Sequence, residues 1–286
     1  MKNIGKLLLA IIMAFVVVVL LVSAIAGVTN ARVAVPPPAG TTTQRNDRPE
    51  TAPVPETAHA PVTIQPSAVS PTAPAWPAIP PGGGDIDPSK PMIALTFDDG
   101  PSKYTPQILD ILERYGVRAT FCVIGNLVDA RKDTVKRASD LGCEIIGHSW
   151  DHRDLSRLSP EEIKRELDDT NAAIESATGI SSRLYRPPYG AINDKLKNVS
   201  AGLGYALIDP LDWKNRNADT VYDAVMAGAG DRGIILSHDL YGSTVDAMER
   251  VIPALLARGY QLVTVSELMY YADITLEAGM VYNSGK

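Results

Sequence analysis

The chain has 286 residues, with 33 acidic and 27 basic side chains, a formal net charge of −6 and two cysteines. With no lysine–arginine cluster beyond the first few residues, this balance argues against a nucleic-acid partner and leaves a neutral or mildly cationic one, such as a glycan, open. No Cys-x-x-Cys pair is present, which excludes a zinc site of that type.

In chain order, Lys2 and Lys6 precede an uncharged apolar run from Leu7 to Val28, long enough to cross a bilayer as a helix. Its length favours an uncleaved anchor with its lysines in the cytoplasm. Cleavage as a signal peptide after Ala24-Ile25-Ala26 is the alternative. Both readings export everything that follows. Residues 33–90 are rich in Pro, Ala and Thr ("VAVPPPAGTTTQ", "PTAPAWPAIPPGGG") with no period of 2 or 3.6. This predicts an extended, disordered spacer in which His59 and Trp76 are solvated. The expected organisation is a membrane anchor or signal segment over 1–32, a linker over 33–90, a globular domain over 91–272 and a loose tail over 273–286.

Within the domain, strand-like runs at Met92–Phe97, Ala119–Ile124, Cys143–Gly147, Leu184–Arg186, Tyr205–Asp209, Gly233–Ser237 and Tyr260–Thr264 alternate with helices. Thr105-Pro106 reads as an N-cap followed by a proline at N1, with Gly116 as the stop. Ser159-Pro-Glu-Glu162 reads as a capping box ahead of an apolar stripe through Ile163, Leu167 and Ile174 to Gly179. Another helix is expected from Thr244 to Gly259. The alternation predicts an α/β fold with a mostly parallel sheet, possible as a closed barrel. Cys122 and Cys143 lie in strand-like runs: they are either buried thiols acting as small hydrophobes or, if the strands are neighbours, a disulfide in an exported protein.

In such folds the reactive residues lie at the carboxyl ends of the strands. Asp98 and Asp99 follow the first strand, His148 and His152 the third, Arg186 the fourth, Asp209, Asp212 and Trp213 the fifth, and His238 and Asp239 the sixth. Of the four histidines only His59 lies elsewhere. Strand alternation sends adjacent side chains to opposite faces, so Asp98 and Asp99 are expected to do different jobs. A His-x-x-x-His pair with one carboxylate is a three-ligand set for a catalytic divalent ion. Here "GHSWDH" reads as a loop and not a helix. The second aspartate is then free to act as a base oriented by Arg186, and His238 can protonate a leaving group. Asp209 reads as a turn residue before Pro210. Asp239 is open between a supporting partner and a solvated loop acid, and Tyr104, Tyr241 and Trp213 are candidate sugar platforms.

Taken together, "TFDDG", "HSWDH", "RPPYG", "DPLDW" and "LSH" resemble the ordered motifs of the NodB-type polysaccharide deacetylases, carbohydrate esterase family four. The resemblance runs from about Met92 to Leu268. It implies a distorted (β/α) barrel of the NodB homology type that hydrolyses N-acetyl groups on amino sugars of cell-wall glycans. It further implies that Asp98 is the base, with Asp99, His148 and His152 the metal ligands. Arg186 would orient Asp98, and Asp212 would tune His238 or hold Arg186. Tyr189 would give its backbone N–H to the oxyanion, Trp213, Leu236 and Pro188 would line the substrate pocket, and His238 would protonate the departing amine. The cofactor would be one divalent ion, zinc first, with cobalt, nickel or manganese also compatible.

The partners expected are a cell-wall polysaccharide, peptidoglycan N-acetylglucosamine foremost, and the membrane through the N-terminal segment, with the domain acting as a monomer. The stretch "LDWKNRNADTV" resembles peptidoglycan deacetylases more than those of chitin or xylan. Alternatives are deacetylation of N-acetylmuramic acid, chitooligosaccharide or acetylxylan, a non-catalytic glycan-binding module, or a wall-spanning structural protein without metal.

Overall fold

The computed structural model describes residues 86–208 and 218–286. The expected anchor and linker lie outside the described residues, as do Asp209, Asp212 and Trp213. Among the described residues no helix is long and apolar enough to cross a membrane.

Eight strands form one sheet: β1 (Met92–Gly100), β2 (Thr120–Val123), β3 (Glu144–Gly147), β4 (Leu184–Tyr185), β5 (Ala206–Ile208), β6 (Gly233–His238), β7 (Gln261–Val263) and β8 (Val281–Tyr282). The helices are α1 (Thr105–Tyr115), the single turn α2 (Gly125–Val128), α3 (Lys132–Asp140), α4 (Pro160–Thr178), α5 (Asp194–Leu203), α6 (Ala218–Gly228), α7 (Gly242–Ala257) and α8 (Val265–Tyr271). All ladders are parallel and run in the order β6-β1-β2-β3-β4-β5-β8, with β7 added at the start of β1. One edge of β1 pairs with β6 from Ile93 to Asp98. Its other edge is shared between β7, opposite Met92–Ala94, and β2, opposite Thr96–Gly100. The parallel strands so arranged form a curled half-barrel.

Alternation along β1 explains why the sheet holds. Ile93, Leu95 and Phe97 point outward and join the core beneath α1 and α7, together with Ile108, Leu112, Met248 and Ile252. Met92 and Ala94 point inward and meet Cys122, Ile146, Leu184, Ala206, Ile234 and Val263. Each large side chain so buried contributes ~1.5–3 kcal/mol. Continuing the inward parity up the strands reaches Thr96 and Asp98, His148, Arg186, and Leu236 and His238. A polar layer therefore sits on an apolar plug at the carboxyl end of the barrel.

Several helix ends follow local chemistry, but two starts differ from the sequence reading, those of α1 and of α7, which begins at Gly242 behind Tyr241 and not at Thr244. Ser159 and Glu162 form the expected capping box, and Gly116 and Gly179 close their helices at φ 61° and 75°. The first helix, however, is capped by Tyr104 with no side-chain bond. The Thr105 hydroxyl is instead turned away, donating to the Asp239 carboxyl. Cys122 and Cys143 are both free and buried, Cys122 inside the barrel and Cys143 under the helices, so the thiol alternative holds.

The segment 273–286 departs from the loose tail expected of it. Val281 and Tyr282 pair parallel with Leu207 and Ile208 of β5, Ser284 bridges to Gly233 of β6, and the Gly285 amide donates to the Arg232 carbonyl at 2.9 Å. The tail thus spans the gap between β5 and β6, with Leu276, Ile274 and Tyr282 packed on the inner core. Deleting residues 273–286 is expected to destabilise the domain by on the order of 3 kcal/mol or more, read as a lower urea midpoint. An unchanged midpoint would show the closure to be dispensable.

Candidate active site

The two aspartates do not separate as strand alternation predicts. Asp98 keeps the inward parity of β1. Asp99 takes a left-handed backbone at φ 70°, and the register with β2 slips between Asp98 and Gly100. A bulge of this kind re-aims one side chain. It brings the Asp99 carboxylate round to the same cavity as Asp98, where Oδ1 lies 3.0 Å from His152 Nε2 and 3.3 Å from His148 Nε2.

The histidine loop is non-helical, as its sequence indicates, and it is pinned from several sides. The His148 amide donates to the Val123 carbonyl, and the Gly125 and Asn126 amides of α2 donate to the Ser149 and Trp150 carbonyls. Ser149 and His152 both have positive φ, 67° and 63°. From α4 the Glu166 carboxylate accepts the Trp150 amide at 2.8 Å and lies 3.5 Å from Arg153 Nη1. Sequence reasoning missed Glu166. The signal was there, because Glu166 and Thr170 interrupt the buried stripe of Ile163, Leu167 and Ile174 on α4.

Imidazole orientation decides what the cluster can hold. His148 Nδ1 is 2.6 Å from the Arg186 carbonyl, an acceptor only, so Nδ1 carries the proton and neutral His148 presents a lone pair at Nε2. His152 Nδ1 meets the Tyr189 hydroxyl at 3.1 Å, and that hydroxyl donates to the His152 carbonyl at 3.3 Å. His152 Nε2 is thereby left as the free nitrogen. Two lone-pair nitrogens then face an anionic oxygen, Asp99 Oδ1, which is buried and has no hydrogen-bond partner. The three atoms lie within 4.8 Å of one another. An orphaned buried carboxylate oxygen between two imidazole lone pairs fits a divalent cation, and such histidines commonly use their second nitrogen as these do.

The charges respond to this crowding. Burial opposes ionisation of Asp99, but the neighbouring His148 and His152 imidazoles outweigh it and hold the carboxyl well below the usual range. Burial likewise opposes charging of His148, and Asp98 and Asp99 together overcome it and push that imidazole up.

Asp98 is held separately. Arg186 Nη1 donates to its Oδ1 at 2.6 Å and to Thr96 Oγ1 at 2.7 Å, and Thr96 in turn donates to the Ile235 carbonyl. Arg186 and Asp98 side chains are 2% and 4% exposed, so the pair is a desolvated, charge-assisted bond. Thr96 is a second residue that sequence reasoning missed. Asp98 Oδ2 lies 4.0 Å from His148 Nε2, so Asp98 and the Asp99–His148–His152 cluster adjoin. His238 is the register partner of Asp98, and Leu236 that of Thr96, which brings both to the cavity from β6. Pro188 is buried, whereas the Tyr189 ring is 69% exposed and packs edge-on to His152.

The profile of the family described as polysaccharide deacetylase matches residues 85–208. A peptidoglycan-N-acetylglucosamine deacetylase of Bacillus cereus is 36% identical over 63% of this chain and 89% of its own length. The chain belongs to the polysaccharide deacetylase family. Another member, the peptidoglycan-N-acetylmuramic acid deacetylase PdaC of Bacillus subtilis, is 46% identical over 64% of this chain, which spans 40% of PdaC. A solved structure of the family, a family 4 acetyl xylan esterase from Clostridium thermocellum in complex with a cobalt ion, aligns with a TM-score of 0.63 at 34% identity. It covers 68% of this chain and 98% of its own.

A further charged group sits beside the site. Burial pushes Asp239 up to about 7 from 3.8, against the lowering by the Thr105 hydroxyl. The fold therefore binds a proton here that the unfolded chain releases, so this group makes stability fall as pH rises from about 4 to about 7. Asp239→Asn is expected to abolish that loss, gaining up to about 4 kcal/mol over wild type across the window. Urea unfolding of the metal-free proteins near either end of it provides the measurement, and a pH-independent difference would refute the shift.

Proposed function

We propose that this chain is an exported, divalent-metal-dependent hydrolase that removes N-acetyl groups from amino sugars of a cell-wall polysaccharide, N-acetylglucosamine of peptidoglycan foremost. The observation that carries this reading is a carboxylate held by a buried arginine, Asp98, next to a separate Asp99–His148–His152 ligand set. When bound there, a divalent cation supplies Lewis acidity toward the acetamide carbonyl and the attacking water.

The protein's own residues supply the remainder. Asp98 accepts a proton from water as its oxygen bonds to the acetyl carbon, and Arg186 fixes the direction of its lone pairs. The Tyr189 backbone N–H would receive charge developing on the carbonyl oxygen, on motif grounds. His238, entering from β6, donates a proton to the amide nitrogen as the carbon–nitrogen bond breaks, releasing acetate and a free amine. Leu236 and Pro188 contribute apolar wall for the acetyl methyl. Asp212 and Trp213 are assigned to the acid and to the same wall on motif grounds. Two imidazoles and a carboxylate suit zinc, with cobalt, nickel and manganese also compatible. The apolar run Leu7–Val28 would hold the enzyme on the outer face of the membrane, and the proline-rich spacer would carry it into the wall.

N-acetylmuramic acid is the second reading, because PdaC shares more identity with this chain than the Bacillus cereus enzyme does. The deciding experiment is acetate release from purified peptidoglycan with mass spectrometry of the muropeptides. Loss of one acetyl mass from the glucosamine supports the first reading and loss from the muramic residue the second. Neither change, with metal-loaded protein, would sink both.

A further inference from the structure

Asp239 follows the proposed acid but takes no part in the chemistry above, and it is completely buried. Alternation along β6 sends its side chain out of the barrel, toward the start of α1 and the loop after β1. Its Oδ2 accepts a hydrogen bond from the Thr105 hydroxyl, and its carbonyl accepts one from the Ser102 hydroxyl. Those hydroxyls accept in turn from the Ser102 amide at 2.7 Å and the Tyr104 amide at 2.9 Å. The Asp239 amide donates back to the Asp98 carbonyl at 3.4 Å. Every hydroxyl proton in this set has one acceptor, so the direction of the network is fixed.

The carboxyl also lies against Gly100. A methyl group there would overlap both carboxyl oxygens of Asp239, so glycine allows the close approach. Oδ1 is buried with no hydrogen-bond partner. A buried carboxyl with one oxygen unpaired is destabilising; its one side-chain bond goes to Thr105 at the start of α1, and its backbone carbonyl holds Ser102 in the turn after the bulged Asp99. The backbone ahead of that turn is strained at Asp99 and needs neighbours that hold it.

We propose that Asp239 is a positioning residue, which with Thr105 and Ser102 clamps the end of β6 to the Ser102–Thr105 turn that follows β1 and so sets the separation of His238 from Asp98. The inference rests on the deacetylase reading of this site. A displacement of about 1 Å between reacting groups costs on the order of 10²-fold in rate.

The test uses full-length protein loaded with zinc, and an N-acetylglucosamine oligomer as the probe substrate. Asp239→Ala is expected to lower kcat by roughly 10–100-fold with KM little changed. Thr105→Val should lower it in the same direction, and the double variant should be no worse than Asp239→Ala alone. Asp239→Asn keeps an acceptor for Thr105 and should recover most of the rate. Full kcat in folded Asp239→Ala, losses that add in the double variant, or losses that track the folded fraction would overturn the proposal. If Asp239→Ala does not fold, Thr105→Val and Asp239→Asn decide alone, a normal rate in the first or a loss in the second counting against the clamp. Asp98→Asn run alongside separates the two levels: retained acetate release there sinks the site reading, whereas its loss with a normal Asp239→Ala sinks only this inference.

Discussion

Replacing Asp98 by Asn is expected to lower acetate release by roughly 10²–10⁴-fold, the contribution of one positioned general base, with metal content unchanged. The substitution keeps shape and an acceptor oxygen for Arg186 but removes the basic lone pair. Arg186 donates to that oxygen at 2.6 Å in a pair only a few per cent exposed. Neutralising one partner leaves a buried guanidinium charge poorly compensated, so stability should fall as well, by up to about 3–5 kcal/mol. Rates must therefore be compared at equal folded fraction, measured by circular dichroism. A folded Asp98→Asn protein that releases acetate at the wild-type rate would falsify the assignment of the base.

His148→Ala should abolish stoichiometric metal binding and, with it, activity. Its Nδ1 proton is committed to the Arg186 carbonyl at 2.6 Å, so the ring cannot turn and Nε2 stays directed at the Asp99 oxygen. Removing the ring deletes a ligand, and the affinity loss should exceed the roughly 10–100-fold typical of losing a mere supporting hydrogen bond. Competition against a chromophoric chelator measures it. Wild-type protein stripped by a strong chelator should lose activity in parallel and regain it when a divalent ion is restored. Stoichiometric metal retained by His148→Ala, or full activity of the stripped protein, would remove the ligand set from the mechanism.

Much of this was legible locally. The capping box at Ser159–Glu162 formed because its two hydrogen bonds join residues three apart. The strands of β1, β3 and β6 announced themselves by apolar runs that end in aspartate or histidine, and those termini carry the candidate site. Where a side chain had a distant competitor, the local signal misled. Thr105 looked like an N-cap, yet its hydroxyl is drawn to Asp239 on β6, leaving the cap to Tyr104. The tail from Asp273 carried too short an apolar run to read as a strand, but Val281 and Tyr282 found an open edge on β5.

By itself the sequence determined which chemical groups are present, the alternation of strand and helix that gathers them at one end of a barrel, and the motif order of the family. Only the tertiary structure decided how adjacent acids divide their work. Period-2 alternation would have sent Asp98 and Asp99 to opposite faces; the bulge at φ 70° returns Asp99 to the histidines while Asp98 keeps the arginine. The physical reason is range. Periodicity and caps arise between near neighbours in the chain, whereas the bulge, the orphaned ligand oxygen and the closure by the tail depend on pairing between segments far apart in sequence.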